Sequence, residues 1–318
     1  MRFGFTIAQR GILFGVATWP QMLERAKAVD GNRLFDSIFV GDSLMAKPRP
    51  ESIALLGALT AVTARVRLGV ACMASFPLRD PLTLAAQWAT LDLISNGRME
   101  LAVCTGIGIG GTSAQESAAW GVKDAQRGNR MAENLAICRR LWNEDNVSFE
   151  GRYRSFTQVT IQPRPLQQPC PIWIAANPWS PNADKPMRRV ARLADGWMTA
   201  QVMPGLFKTN LTKLNEALVA EGKDPNRFPN LLYHNINITD DRADALAETK
   251  RFLDAYYGPI FSPEMAQAWT AAGPPSRCIE DLRALARDGA KRVTLRITSW
   301  DQARQFDRLI NEILPYLE

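Results

Sequence analysis

The chain has 318 residues, of which 46% are hydrophobic and 22% charged, a composition typical of a globular protein with a well-buried core. Its formal charge of +6 arises from 38 basic and 32 acidic residues scattered along the sequence, which argues against nucleic-acid binding and is compatible with a small anionic ligand. The five cysteines are far apart and accompany a single histidine, so neither a disulfide framework nor a metal site is expected. No apolar run reaches the ~18 residues of a membrane helix, and we expect a cytoplasmic protein with no membrane partner.

Short apolar runs recur along the chain, and each is followed by a loop and a helical pattern. Their near-continuous hydrophobicity is typical of strands buried on both faces of a parallel sheet. The predicted strands are residues 3–8, 37–42, 66–75, 99–105, 171–177, 196–201, 231–239 and 292–298.

Amphipathic segments between these runs predict helices at residues 20–30, 51–63, 82–95, 130–143, 186–194, 211–222, 242–258, 276–289 and 301–317. Pro20 and Pro186 stand at predicted helix starts, and Gly222, Gly258 and Gly289 at predicted ends. Eight strand–helix units predict an α/β protein with a (β/α)8 TIM barrel, formed by residues 1–318 as a single domain.

Two long connections interrupt the regular spacing of the units. Residues 106–129 follow the fourth strand, and residues 259–275 precede the penultimate helix, so the barrel is predicted to carry insertions there. Because barrel enzymes place their sites at the carboxyl ends of the strands, the first insertion is expected to lie over the barrel mouth.

The segment CTGIGIGGTSAQE, residues 104–116, contains a G-x-G-x-x-G run at Gly106, Gly108 and Gly111. A dinucleotide fingerprint would also need a helix that begins inside the run and an acidic residue at the end of a second strand roughly 20 residues on. The chain continues instead as a loop and then a helix, on which Glu133 stands. We therefore predict a lid over the barrel mouth, with Thr105 and Gly106 at its fixed base.

The second and third predicted helices, ESIALLGALTAVT and LTLAAQWATLDLIS, are apolar on more than one face. The barrel covers only one face of each helix, so we expect a second copy of the chain to cover the other. The sequence therefore predicts a homodimer.

Several segments together resemble a known family. They are RDPLTLAAQWATLDLISNGRMELAVCTG, FEGRYRSF, IQPRPLQQPCPIWIAAN, ARLADGWMTA and GPPSRCIEDLRALARDGAKRVTLRI. In this order and spacing they resemble the bacterial luciferase-like family of flavin-dependent oxidoreductases. The resemblance implies a (β/α)8 barrel, commonly dimeric, that binds reduced FMN or the deazaflavin F420 at the carboxyl ends of the strands.

The resemblance also implies positions for the cofactor. Its ring is expected near Asp42, near Ala74 and Ser75, where the family often has a cis peptide, and near Cys104, Thr105 and Gly106. Its phosphate is expected near Ala176 and Asn177, with Arg188 assisting. The alternative is that Ala74 and Cys104 pack in the barrel core and Asn177 caps a turn.

Two residues are candidates for catalysis. His234, the only imidazole of the chain, lies in the predicted seventh strand and is either a general acid or a hydrogen-bonded core residue. Arg296, in the last strand, binds an anion or carboxylate if it points inward, and is otherwise a surface arginine at a strand end.

Departures from the family pattern bear on the chemistry. Many F420-using relatives carry Asp-His after the second strand, where this chain has Asp42-Ser43, and the first acid after the fourth strand is Glu116. The preferred interpretation is a monooxygenase that uses reduced FMN and O2 to oxygenate a small organic substrate, with a separate flavin reductase as partner. The alternatives are an F420-dependent oxidoreductase that transfers hydride, and a flavin-binding protein without turnover.

Overall fold

A computed structural model describes residues 1–106, 112–178 and 184–317. The strands in these ranges are β1 (Arg2–Thr6), β2 (Phe35–Val40), β3 (Arg67–Met73), β4 (Met99–Val103), β5 (Val147–Glu150), β6 (Ser155–Val159), β7 (Ile172–Ala175), β8 (Gly196–Ala200), β9 (Asn230–Ile238), β10 (Thr270–Gly273) and β11 (Arg292–Ile297). The helices are α1 (Trp19–Gly31), α2 (Ser52–Val62), α3 (Pro81–Ile94), α4 (Thr112–Ala119), α5 (Arg127–Asn143), α6 (Asp184–Leu193), α7 (Leu206–Ala220), α8 (Arg242–Tyr257), α9 (Pro263–Ala268), α10 (Pro275–Arg287) and α11 (Gln302–Arg308).

Parallel strands close into a barrel in the order β1-β2-β3-β4-β7-β8-β9-β11, and β11 returns to β1. Each of the predicted strands overlaps one of these. The (β/α)8 barrel predicted from the sequence is therefore confirmed. Helices lie between consecutive barrel strands and cover the outer face of the barrel.

Strand β9 is longer than its neighbour β8 and pairs with two different strands along the same edge. Its first residues, Asn230 to Tyr233, pair with β8, and its last, Asn235 to Ile238, pair with β10. The second long connection was predicted without secondary structure, but it contains α9 and β10. The four residues of β10 are too short a run to give a strand pattern in the sequence.

The insertion after β4 also contains more structure than predicted. It includes α4 and a 3₁₀ turn at Asp124–Gln126, and α5 begins at Arg127, three residues before the predicted start. Residues 107–111, which include three glycines, lie outside the described residues, so the lid stays a prediction. The antiparallel pair β5–β6, outside the barrel, was not predicted.

Helix ends follow ordinary capping chemistry. The side chains of Asp80 and Asp241 accept hydrogen bonds from the first turns of α3 and α8. The last predicted helix, 301–317, is shorter than expected, since α11 ends at Arg308 and continues as a π-turn at Leu309–Ile313 and a 3₁₀ turn at Leu314–Tyr316. Pro315 has no N–H for a continued α-helix.

Strand alternation divides the buried side chains into two sets. One set packs between the barrel and the helices, and the other fills the barrel interior with residues such as Phe39, Trp173 and Leu231. At the amino ends of the strands, Arg292 forms ion pairs with Glu100 (Nη1–Oε1, 2.9 Å) and Asp36 (Nη2–Oδ1, 3.2 Å). This network closes the barrel bottom with matched charges.

Among the described residues, none of the helices combines the length and the apolar character that a membrane crossing requires. On α3, Leu93 and Ile94 remain 41% and 55% exposed in the single chain. The homodimer stays a prediction.

Candidate active site

Two adjoining cavities lie at the carboxyl ends of the barrel strands. The Arg189 cavity, of about 300 Å³, is lined by the ends of β3, β4, β7 and β8 and by Arg189 of α6. The Tyr257 cavity, of about 230 Å³, is lined by the loop after β2, by α4 and by Tyr257, Phe261 and Trp269. Cys72, Cys104 and Tyr233 line both, so the two cavities form one continuous space.

Most of the predicted cofactor residues line this space. Asp42 and Ala74 line the Tyr257 cavity, Thr105 and Ala176 line the Arg189 cavity, and Cys104, Gly106 and Asn177 line both. Ser75 and Arg188 line neither cavity, which contradicts the positions predicted for them.

Arg127, the first residue of α5, joins three segments at the edge of the cavities. Its Nη2 donates to the carbonyl of Ala74 (2.7 Å), its Nη1 to Ser117 Oγ (2.6 Å) and its Nε to the carbonyl of Thr105. Only 3% of the residue is exposed, and no carboxylate contacts it among the described residues. Arg127 therefore fixes the loops after β3 and β4 to each other and to α4.

Gly106 lies directly against this guanidinium. Its φ is +68°, and a Cβ placed on it would stand 2.2 Å from Arg127 Nη2. Glycine is required here both by the backbone conformation and by the close approach.

Asp42 anchors the loop after β2. One carboxylate oxygen accepts from Ser52 Oγ (2.7 Å) and Arg79 Nη2 (3.1 Å), and the other from the backbone N–H of Ser75 (2.7 Å). The hydroxyl of Ser75 accepts from Arg79 Nε (2.7 Å). Ser75 is fully buried and supports Asp42 instead of facing the cavity, which corrects its predicted role.

A cis peptide bond is present in this region, but it joins Ala71 and Cys72 instead of Ala74 and Ser75. It thus lies inside β3, three residues before the position that the resemblance implied.

Cys72 and Cys104 stand side by side at the junction of the two cavities. Both are free thiols and hydrogen-bond each other. The hydrogen bond from Cys72 lowers the pKa of Cys104, and the same bond raises the pKa of Cys72. Cys72 was not predicted, since nothing in the sequence shows which face of β3 it occupies.

At the far side of the Arg189 cavity, Asn177 Oδ1 accepts from Thr199 Oγ1 (3.2 Å). Arg189 lines the cavity, whereas Arg188 is exposed on another face of α6. No hydrogen-bond acceptor or carboxylate pairs with Arg189 in the described ranges. Arg189 therefore replaces Arg188 as the candidate cation, because successive helix residues point about 100° apart.

Arg296 is fully buried and points into the barrel. Its Nε and Nη2 donate to Asn235 Oδ1 (3.1 and 2.8 Å), and its Nη1 donates to Tyr257 Oη (2.7 Å). Five aromatic rings surround the guanidinium at 4.6 to 6.0 Å, those of Tyr233, Phe252, Tyr256, Tyr257 and Trp269. Arg296 does not line either cavity, so it acts on the site through Tyr257 and not as a direct anion ligand.

The hydroxyl of Tyr257 is the polar group that sequence reasoning missed. Burial raises the pKa of Tyr257, but the nearby charges of Arg296, Arg49 and Lys47 outweigh burial and hold the pKa below its ordinary value. Tyr257 is the last residue of α8, in a segment without a recognisable motif.

His234 does not face the site, and its predicted catalytic role is corrected. Tyr233 lines the cavities, so strand alternation points His234 the opposite way, toward the helical layer that its neighbours Leu232 and Ile236 also contact. Only 2% of His234 is exposed, and its Nδ1 has no hydrogen-bond partner. Burial lowers the pKa of His234 to about 3.

A larger cavity of about 590 Å³ lies outside the barrel, between α1 and the start of α11. None of the predicted site residues lines it. Within the described ranges, no group of three or more histidine, cysteine and acidic side chains could hold a metal ion.

Gly106→Ala should destabilise the protein more than Gly121→Ala. Gly121 also has a positive φ (+67°), but nothing lies within 4 Å of a Cβ there. Both variants lose about 1–2 kcal/mol from backbone strain, and Gly106→Ala loses a further 1–3 kcal/mol or so from the clash with Arg127. Urea unfolding measures both losses, and equal losses would contradict the close approach.

His234→Asn should reduce the loss of unfolding free energy that the wild type shows as the pH falls. The unfolded chain binds a proton at His234 near pH 6.5, whereas the folded chain, with a pKa of about 3, does not. Between pH 7.5 and 5 this difference lowers the free energy of unfolding of the wild type by roughly 2 kcal/mol. If urea unfolding shows the same pH dependence for the variant, His234 is not buried in its neutral form.

Comparisons with known proteins agree with this architecture. Residues 1–268 match the family model described as luciferase-like monooxygenase. An F420-dependent glucose-6-phosphate dehydrogenase of Nakamurella multipartita is 27% identical over 308 residues, which cover 89% of this chain and 88% of the relative.

Two solved structures share the fold. Monooxygenase RslO1 from Streptomyces bottropensis superimposes with a TM-score of 0.82 at 21% identity, over 100% of both chains. An F420-dependent secondary alcohol dehydrogenase, in complex with an F420–acetone adduct, gives a TM-score of 0.81 at 18% identity, over 100% of this chain and 99% of the other. The family match extends over most of the sequence, and the chain therefore belongs to the luciferase-like monooxygenase family and is an oxidoreductase.

Proposed function

We propose that the protein is a monooxygenase that takes reduced FMN from a separate reductase and uses O2 to oxygenate a small organic substrate. The observation that carries this proposal is that no imidazole faces the cavity. His234 is the only histidine of the chain, and it points to the helical layer. Hydride transfer from an alcohol needs a base for the hydroxyl proton, whereas oxygenation by a reduced flavin does not begin with that step.

The two carboxylates that line the cavity are poorly suited to serve as that base. Both oxygens of Asp42 already accept hydrogen bonds, one of them from the Arg79 guanidinium. Glu116 Oε1 accepts from the backbone N–H groups of Leu44 (2.6 Å) and Met45 (2.9 Å). Each carboxylate thus stabilises the loop after β2.

The residues of the Arg189 cavity fit a flavin mononucleotide. A phosphate would be held by the guanidinium of Arg189, which pairs with no acceptor among the described residues and lies close to Asn177. The ring would occupy the part lined by Ala71, Met198 and the Cys72–Cys104 pair, which offers apolar walls with few polar groups. When bound, reduced FMN supplies the two electrons that activate O2.

The chain's own contribution is to keep water from the reacting atoms. Val202, Phe261 and Trp269 form apolar walls of the Tyr257 cavity. Arg127 holds the loops on the opposite side in place without adding a mobile charge. A rigid, dry cavity limits the side reaction in which reduced flavin and O2 release hydrogen peroxide.

An F420-dependent oxidoreductase is the second candidate. A specific observation favours it, since relatives that are named F420-dependent glucose-6-phosphate dehydrogenases align over 89% of this chain. In this interpretation the same cavity holds the deazaflavin, and a residue other than histidine accepts the proton.

The deciding experiment loads the protein with reduced FMN or reduced F420 without oxygen and then mixes it with O2. For a monooxygenase, we expect tight binding of reduced FMN and hydrogen peroxide release slower than from free reduced FMN, with an oxygenated product when a panel of organic substrates is added. Binding of F420 alone, with hydride exchange in the absence of O2, would instead establish the second candidate. Binding without either reaction would leave a flavin carrier.

The phosphate contact can be tested by a matched pair of variants. Arg189→Met should weaken FMN binding about tenfold or more, because a charge-assisted contact to phosphate contributes about 1.5–3 kcal/mol. Riboflavin, which lacks the phosphate, should bind both proteins alike. Arg188→Met removes the neighbouring exposed charge and should change neither affinity, as measured by flavin fluorescence. Equal effects of the two variants would refute a specific role for Arg189.

A further inference from the structure

The Tyr257 cavity contains more positive than negative charge that is free to act on a ligand. Its two carboxylates, Asp42 and Glu116, are engaged by Arg79 and by backbone N–H groups. Of the cations, Arg127 donates to three oxygens of the protein, and Arg49 donates its Nε to the carbonyl of Lys47 (3.0 Å). Lys47 is the lining cation whose side chain donates no hydrogen bond to the protein within the described residues.

The ammonium group of Lys47 has no acceptor among the described residues. It lies over the ring of Tyr257, whose centre is 5.2 Å from Nζ. Burial lowers the pKa of Lys47, and the neighbouring Arg49 adds to this effect. A half-buried ammonium without an anion is unfavourable, and an anionic ligand would offset the cost.

Tyr257 supplies a hydrogen-bond donor at the same place. Its oxygen accepts from Arg296 Nη1 (2.7 Å), which leaves the phenol hydrogen to donate toward a ligand. The charged groups that act on Tyr257 and its neighbour Tyr256 are cationic, and these four residues come from three segments of the barrel top: Arg10, Lys47, Arg49 and Arg296. The remaining titratable neighbours are the phenols of Tyr233 and Tyr256.

One part of the cavity wall is apolar and is formed by Val202, Phe261 and Trp269. We propose that Lys47 and Tyr257 bind the carboxylate of the substrate and that the apolar wall receives its hydrophobic body. A carboxylate offers one oxygen to the Lys47 ammonium and the other to the Tyr257 hydroxyl. The inference rests on the proposed function, because it places this carboxylate beside the cavity assigned to the flavin.

Binding of benzoate, benzyl alcohol and inorganic phosphate, measured by calorimetry on the full-length protein with and without oxidised FMN, tests the proposal. We expect benzoate to bind at least tenfold more tightly than benzyl alcohol, and phosphate to bind more weakly than benzoate. Lys47→Met should abolish the preference for benzoate, whereas Lys123→Met, which removes an exposed charge, should retain it. Equal binding of benzoate and benzyl alcohol, tighter binding of phosphate, or a preference that survives Lys47→Met would overturn the proposal.

Tyrosinate absorbance at 295 nm gives a second measurement that does not depend on turnover. Without ligand, one tyrosine should ionise below the ordinary value of about 10, and Tyr257→Phe should remove that transition. Benzoate should raise the pKa of this transition, because a bound anion disfavours the phenolate. An unchanged transition in saturating benzoate would place the anion elsewhere and overturn the inference.

The two proposals can fail separately. The benzoate measurements without FMN do not require the flavin assignment to be correct. If benzoate binds as expected but reduced FMN does not, only the cofactor assignment fails. If reduced FMN reacts with O2 as expected but benzoate shows no preference, only the substrate class is wrong.

Discussion

Strand alternation is the constraint on which this site depends. Neighbouring residues of a barrel strand cannot both face the interior, so β9 presents Tyr233 to the cavity and His234 to the helices. On β11 the same rule sends Arg296 inward, together with Arg292 at the other end of the strand. The imidazole of His234, the only histidine of the chain, therefore does not reach the cavity. A buried arginine lies at each end of the barrel, Arg292 at the bottom and Arg296 at the mouth.

The two buried arginines of β11 are stabilised in different ways. Arg292 is paired with Glu100 and Asp36, so the barrel bottom is close to neutral and has no reason to attract a ligand. The partners of Arg296 among the described residues are neutral oxygens and aromatic faces, so its charge is spread but not cancelled. The uncancelled charge of Arg296 makes the electrostatic potential positive at the barrel mouth, where Tyr257 and Lys47 lie.

Regular parts of the fold could be predicted from the sequence because each barrel strand is largely buried on both faces and gives a near-continuous apolar run. Short elements such as α9 and β10 gave no such signal, since their position depends on pairing with the far end of β9. At the site, the sequence indicated which residues lie close to the strand ends. It did not indicate the direction in which their side chains point. Arg188 was predicted instead of Arg189 because the sequence alone does not show which face of a helix points toward the site. Tyr257 is a candidate because Arg296 of a barrel strand contacts it, and Lys47 because it lies beside the Tyr257 ring; neither contact between distant segments can be read from the sequence.

The aromatic enclosure of Arg296 has an evolutionary consequence. A guanidinium that depends on five rings and on Asn235 cannot be replaced by a neutral residue without leaving a void and an unpaired amide. Conversely, loss of one ring removes a favourable cation–π contact of the Arg296 guanidinium. Substitutions at these positions should therefore occur together. Within the family, the arginine and its aromatic neighbours should be kept or lost as a set, even where other residues at the barrel mouth differ.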